Sequence, residues 1–95
     1  MTKKELAQKL ARTHNLTIQA ASRYVTDLFD MITDELADQR DVTIVGFGKF
    51  KVRHRHARIG RNPNTGETLK LPATQTPIFQ AGKDLTQKVK DRYSQ

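Results

Sequence analysis

Six cations fall within thirteen residues of this sequence with no acid among them: Lys49, Lys51, Arg53, Arg55, Arg58 and Arg61. Such a run repels itself unless an anion offsets the repulsion, and a polyphosphate is the simplest anion that does so. The run leads into Asn62-Pro63-Asn64-Thr65-Gly66, which is dense in turn residues, with Pro63 fixing φ and Gly66 admitting positive φ. Pro63 has two readings that do not exclude each other: a turn former, and an apolar wedge that enters a base step from the minor groove while Arg58 and Arg61 hold the flanking backbone. Lys3, Lys4 and Lys83 stand at predicted helix starts, where the dipole disfavours a cation. They are either chance surface lysines or, together with the free N–H groups of a helix start, phosphate clamps. His54 and His56 lie two apart on one strand face, as a metal pair or a pH-dependent contact would; a solvated or phosphate-facing pair is the favoured reading. Asp27, Asp30, Asp34 and Asp38 recur at helical spacing, which reads as a solvated acidic face rather than a metal or acid–base site.

The elements that must position these residues follow from periodicity. Thr2 and Glu5 have capping-box spacing, and Leu6, Ala7, Leu10 and Ala11 repeat at helical intervals until His14-Asn15, predicting a first helix over about 3–13. Thr17 can cap a second, main core helix whose apolar stripe is Ala21, Val25, Leu28, Phe29, Ile32 and Leu36. After Asp41 the period falls to two at Val42 and Ile44, and Gly46-Phe47-Gly48 supplies a hairpin turn. On the second strand Lys49, Lys51, Arg53 and Arg55 share one face, and Phe50, Val52, His54 and His56 the other. The 24 residues from His54 to Pro77 carry only five aliphatic side chains (Ala57, Ile59, Leu69, Leu71 and Ala73), too few to fasten the segment onto a core. They should project as a two-stranded arm, marginal in water and mobile until a ligand orders it. Pro72 and Pro77 put the return strand at an edge or at bulges. Gly82 and Lys83 then open a short last helix to about Val89 or Lys90, with Leu85 and Val89 facing inward. Three parts of one domain result: a helical dimerisation part over 1–41, a sheet with its arm over 42–82, and a terminal helix over 83–90.

Charge is segregated along the chain. The formal total is +7, yet residues 1–41 hold six cations against seven acids, and residues 42–95 hold eleven against three. With no cysteine there is no disulfide, thiolate metal site or cysteine nucleophile. No apolar run has signal-peptide length or approaches the ~20 residues of a membrane span, so a soluble, unexported, cytoplasmic protein is expected, without cofactor or metal. A body of roughly 70 residues outside the arm supplies only a few kcal/mol from its own core. Self-association would reinforce it, with Phe29, Phe47, Phe50 and Phe79 buried between subunits; the rival is that they fill the core of a monomer. RNA is a secondary partner at most: there is no tryptophan, and Tyr24 and Tyr93 lie off the basic strand where bases would stack. No catalytic triad spacing or phosphate-binding glycine loop points to an enzyme. A helix-turn-helix with the second helix in the major groove would press four aspartates against phosphates.

Gly46-Phe47, Phe50, Arg55, Arg58, Gly60, Asn62-Pro63 and Thr65, followed by Pro72-Ala73, Pro77, Phe79 and Ala81-Gly82-Lys83, fall at the spacings of a known signature. Over Thr2 to Lys90 the chain resembles the bacterial histone-like HU and integration host factor proteins. The resemblance implies an α+β fold: an intertwined dimer with a helical base, a short antiparallel sheet and a protruding β-ribbon arm from each subunit. It implies a partner, double-stranded DNA, bent through the minor groove largely without sequence specificity, and a role in compacting the nucleoid. The residues it assigns to DNA are Lys3, Gly46, Arg53, Arg55, Arg58, Arg61, Asn62, Pro63, Lys70 and Lys83, with Pro63 intercalating. A homodimer is expected, with a heterodimer and a sequence-preferring variant left open. Gln75, Gln80 and Thr86 stand where lysine is common in relatives, which leaves the extent of flank wrapping open.

Overall fold

The computed structural model describes residues 1–94 of the 95. Helices α1 (Lys3–His14) and α2 (Ile18–Ala37) are followed by strands β1 (Val42–Ile44), β2 (Gly48–Arg55), β3 (Arg58–Arg61), β4 (Thr68–Leu71) and β5 (Thr74–Ala81), and by α3 (Lys83–Tyr93). Both expected caps form: the Thr2 hydroxyl accepts from the Glu5 N–H and the Thr17 hydroxyl from the Ala20 N–H, each at 3.1 Å. Asn15, left-handed at φ 55°, ends α1 one residue past the expected boundary and turns the chain into α2. The C-terminal end of α2 is closed by Arg40, whose guanidinium donates to Glu35 at 2.8 Å. That hydrogen bond, with the attendant charge attraction, holds the Glu35 carboxyl below its ordinary value, and being on the surface the pair adds little stability.

β1, β2 and β5 form an antiparallel sheet in the order β1-β2-β5, and β3 and β4 form a separate ribbon. The β2–β5 ladder runs from Gly48 opposite Ala81 to Arg55 opposite Thr74. The hinge between sheet and ribbon therefore falls at residues 56–57 and 72–73, inside the stretch expected to leave the body as one piece. Pro77 sits in β5, an edge strand, and Pro72 at the hinge, so neither removes a hydrogen bond from a central strand. The β1–β2 turn begins one residue earlier than the glycines suggest. Val45 and Gly46 occupy its centre, Gly46 at φ +82°, and the Phe47 N–H closes it on the Ile44 carbonyl at 3.0 Å.

The core of the single chain is small: Ala7, Ala11, Ala21 and Val25 are buried, with Leu10 and Leu16 packed against them. Alanines at the crossing let α1 and α2 approach closely. The rest of the expected α2 stripe is not buried within one chain. Leu28 is 56% and Phe29 44% exposed, and Phe29, Ile32 and Leu36 line an open groove with Phe50, Val52 and Pro77. A radius of gyration of 19.4 Å and extents of 60 × 36 × 25 Å describe an elongated body; a compact chain of this length would have a radius near ~12 Å. Two expectations for α3 need correction. It runs to Tyr93 rather than to about Val89 or Lys90, because no glycine or proline interrupts it and the Gln87 amide donates to Asp91 at 2.8 Å one turn on. Val89, expected to face inward, is 62% exposed, because nothing within the single chain packs over that side of the helix.

One close approach yields a direct test. A Cβ added at Gly48 would lie 2.6 Å from the Phe79 ring and 2.6 Å from the Gln80 carbonyl oxygen. The oxygen is backbone and cannot swing away. Gly48→Ala should therefore cost about 1–3 kcal/mol, lowering the thermal midpoint by roughly 4–8 °C per kcal/mol for a domain of this size. A midpoint within a degree of wild type would show that the sheet is not packed this tightly.

Candidate nucleic-acid interface

The pleat of β2 sorts its side chains as the alternation suggests. Phe50 and Val52 face the side on which Phe79 and Pro77 stand opposite them, and Lys49, Lys51, Arg53 and Arg55 face away. The apolar side is anchored by Phe79, whose ring lies 4.9 Å from that of Phe50 and 5.3 Å from that of Phe47, both tilted. This three-ring cluster fixes the strand and so aims its cations. Of the six clustered cations only Lys49 has an acidic neighbour among the described residues, Asp41 at 3.4 Å. Lys51, Arg53, Arg55, Arg58 and Arg61 form no ion pair there. Asp41 was not singled out by the sequence reading; its position one residue before a strand that pairs with Lys49's strand was the available signal.

Beyond the hinge the faces redistribute. Arg58 pairs with Leu71 and Gly60 with Leu69, while Ile59 pairs with Lys70 and Arg61 with Thr68. Arg61 and Lys70 thus share one face of the ribbon, and Arg58 lies on the other, so the arm carries positive charge on both sides. The tip is built by Asn62. Its N–H donates to the Glu67 carbonyl at 2.9 Å, its carbonyl accepts from the Gly66 N–H at 2.8 Å, and its side-chain oxygen accepts from the Asn64 N–H at 2.9 Å. Gly66 at φ +74° completes the loop. These bonds hold Pro63 exposed at the far end of the ribbon.

The two helix starts differ. At α1 the Thr2 side chain already satisfies one free N–H, and Lys3 is an exposed neighbour. At α3 the N-cap is Gly82 and no side chain caps it. Its first turn opens on a hollow lined by Val45, Gly46, Phe47, Gly82, Lys83 and Asp84. Lys83 and the uncapped N–H groups favour an anion there, while the Asp84 carboxylate, 3.8 Å from where a Gly46 Cβ would stand, limits how many negative groups the hollow admits. His54 stands opposite Gln75, and the described residues hold no cluster of three metal-ligating side chains. Gln75 itself is bonded to Gln39 at 2.8 Å, tying the end of α2 to the foot of the arm.

Within one chain Phe29, Phe47 and Phe79 are 44%, 43% and 42% exposed, and Phe50 is half-buried. Phe29 stands apart from the three-ring cluster but shares the open groove with Phe50.

The family of bacterial DNA-binding proteins matches residues 1–90. The chain belongs to this family. Among its relatives, DNA-binding protein HU-1 of Halalkalibacterium halodurans is 44% identical over 90 residues, covering 95% of this chain and all of that one. The DNA-binding protein HU of Geobacillus stearothermophilus is 44% identical over the same span. Of solved structures, a cocrystal structure of Anabaena HU with DNA matches with a TM-score of 0.80 at 40% identity, covering 94% of this chain and 97% of that one. HU from Thermotoga maritima matches with a TM-score of 0.65 at 27% identity over 94% and 98%. This HU-like chain thus shares its helices, sheet and arm with proteins of the same α+β fold.

Proposed function

We propose that this HU-like protein is a histone-like, nucleoid-associated protein that binds double-stranded DNA as a dimer, bends it and helps to compact the chromosome. The observation that carries this reading is the arrangement of Lys51, Arg53 and Arg55 on one strand face, continued by Arg58, Arg61 and Lys70 along a projecting ribbon, without ion-pair partners among the described residues. Affinity then comes from phosphates and the output is DNA shape, with no base-edge code and no catalysis. The exposed aromatic and aliphatic surface of one chain supports a second copy as its cover, and a dimer sets two arms around one duplex. Pro63 at each tip is the wedge, Arg58, Arg61 and Asn62 hold the adjoining backbone, and Lys3, Gly46 and Lys83 meet phosphates flanking the arms. No described helix is long and apolar enough to cross a membrane, and the site of action is the cytoplasmic nucleoid.

Competition titrations test this. Duplex DNA should displace the protein from a labelled duplex whatever its base sequence, and single-stranded RNA should do so far less well. Each phosphate neutralised adds about 0.9 to the slope of log K against log salt. Arg53→Ala should lower that slope by roughly one and weaken binding evenly across sequences. An unchanged slope would remove Arg53 from the interface; one preferred site surviving a large excess of competitor would indicate a sequence-reading protein; preference for RNA would overturn the proposal.

A further inference from the structure

α3 carries an apolar stripe that its own chain leaves uncovered. Leu85, Val89 and Tyr93 recur every four residues, which places them one above the other on one side of the helix. Leu85 is half-buried, Val89 62% exposed and Tyr93 92% exposed, and no residue of α3 is buried. An isolated helix of this length is marginal in water and takes most of its stability from packing its apolar side. Within its own chain the helix is fastened at its first turn, where the Gly82 N–H donates to the Phe47 carbonyl at 2.8 Å. That bond ties the start of the helix to Phe47, which with Phe79 belongs to the apolar surface already assigned to the dimer, the two rings being 43% and 42% exposed. The family match covers residues 1–90, whereas the helix continues through Asp91 and Arg92 to Tyr93.

We infer that the last turn of α3 is an added rung of the subunit interface: Tyr93 extends the Leu85–Val89 stripe and seats against a second copy of this chain. The inference rests on the dimer proposed above. It gives residues 91–93 a task distinct from DNA contact, although Lys88, Lys90 and Arg92 bring cations to the same helix. A tyrosine ring suits the edge of such a seam, since its apolar body can be covered while its hydroxyl stays wet.

The test compares wild type, Tyr93→Ser and Tyr93→Leu as full-length proteins. Dimer dissociation constants are measured by sedimentation equilibrium, helix content by circular dichroism, and DNA affinity across a salt series. Because a symmetric dimer contains the substitution twice, Tyr93→Ser should weaken association by about ten- to a hundredfold, at roughly 25 cal/mol per Å² of apolar area uncovered. Tyr93→Leu should recover most of the loss, and the salt slope should not change. A wild-type dimer whose dissociation constant is unmoved by Tyr93→Ser would overturn the inference while leaving the dimer intact. A loss of DNA affinity and salt slope at constant dimer stability would overturn it in favour of a DNA contact. A wild type that stays monomeric would sink the dimer and the inference together.

Discussion

Replacing Pro63 with alanine should leave the protein bound to DNA but leave that DNA nearly straight. The side chain carries no charge, so its loss removes no phosphate contact, and the cations of β2 and of the ribbon still supply the salt-dependent affinity. What disappears is the wedge. Unstacking a base step costs a few kcal/mol, and without an apolar group to fill the gap the duplex recovers its stacking. The bonds that Asn62 makes to Gly66, Asn64 and Glu67 do not involve the Pro63 ring, so the tip should keep its shape. Bending a short site by 40–90° costs of order 1–6 kcal/mol. Wild type should accordingly raise the ring-closure rate of a DNA shorter than the ~150 base-pair persistence length by tenfold or more, and Pro63→Ala should lose most of that enhancement. Equal ring-closure rates for the two proteins would assign Pro63 to turn formation alone.

The second large effect is expected at Phe79. Its ring packs between Phe50 and Phe47 at 4.9 and 5.3 Å, and the Gly48 backbone lies against it with no room for a Cβ. Phe79→Ala would empty the centre of the one aromatic cluster that joins β2 to β5 and, in the dimer, uncover surface on the partner. A loss of about 3–5 kcal/mol is expected, a large share of what so small a domain has. The variant should melt more than ~10 °C below wild type, with a midpoint that rises with protein concentration. DNA binding should fall in parallel, because the strand that aims Lys51, Arg53 and Arg55 is the one the cluster holds. A midpoint within a few degrees of wild type would show that Phe79 is peripheral.

Much of this architecture was legible in the residues. Thr2 and Thr17 announced two helix starts because a hydroxyl at an N-cap has one physical use, and both caps form. The change of period after Asp41 located the sheet, and the alternation of Lys51, Arg53 and Arg55 with Phe50 and Val52 matches the pleat. The scarcity of aliphatic residues between His54 and Pro77 marked the arm. The hinge was harder to place, because residues 54–55 and 74–77 remain in the body ladder through backbone hydrogen bonds, which leave no mark on side-chain type. The end of α3 was missed for a related reason: Asp91 and Arg92 are polar, and the turn they belong to is visible only through the four-residue spacing of Val89 and Tyr93. Within β3 the odd spacing of Arg58 and Arg61 does put them on opposite faces of the ribbon; what periodicity does not foretell is how those faces relate to the cationic face of β2, since the break at residues 56–57 separates the two strands. The exposed state of Leu28, Phe29 and Val89 shows the limit of reading an apolar stripe as a core: the stripe specifies that a face is covered, and a second chain can be the cover.

The most direct test of the central claim, that the protein's output is DNA shape, is fluorescence energy transfer between the two ends of a ~30 base-pair duplex of arbitrary sequence, titrated with wild-type protein to saturation at low salt. A duplex of that length is close to a rigid rod on its own. The account predicts that the end-to-end distance shortens as binding saturates, for unrelated sequences alike. Saturated binding with an unchanged end-to-end distance would contradict it, leaving a protein that coats phosphates without bending the duplex.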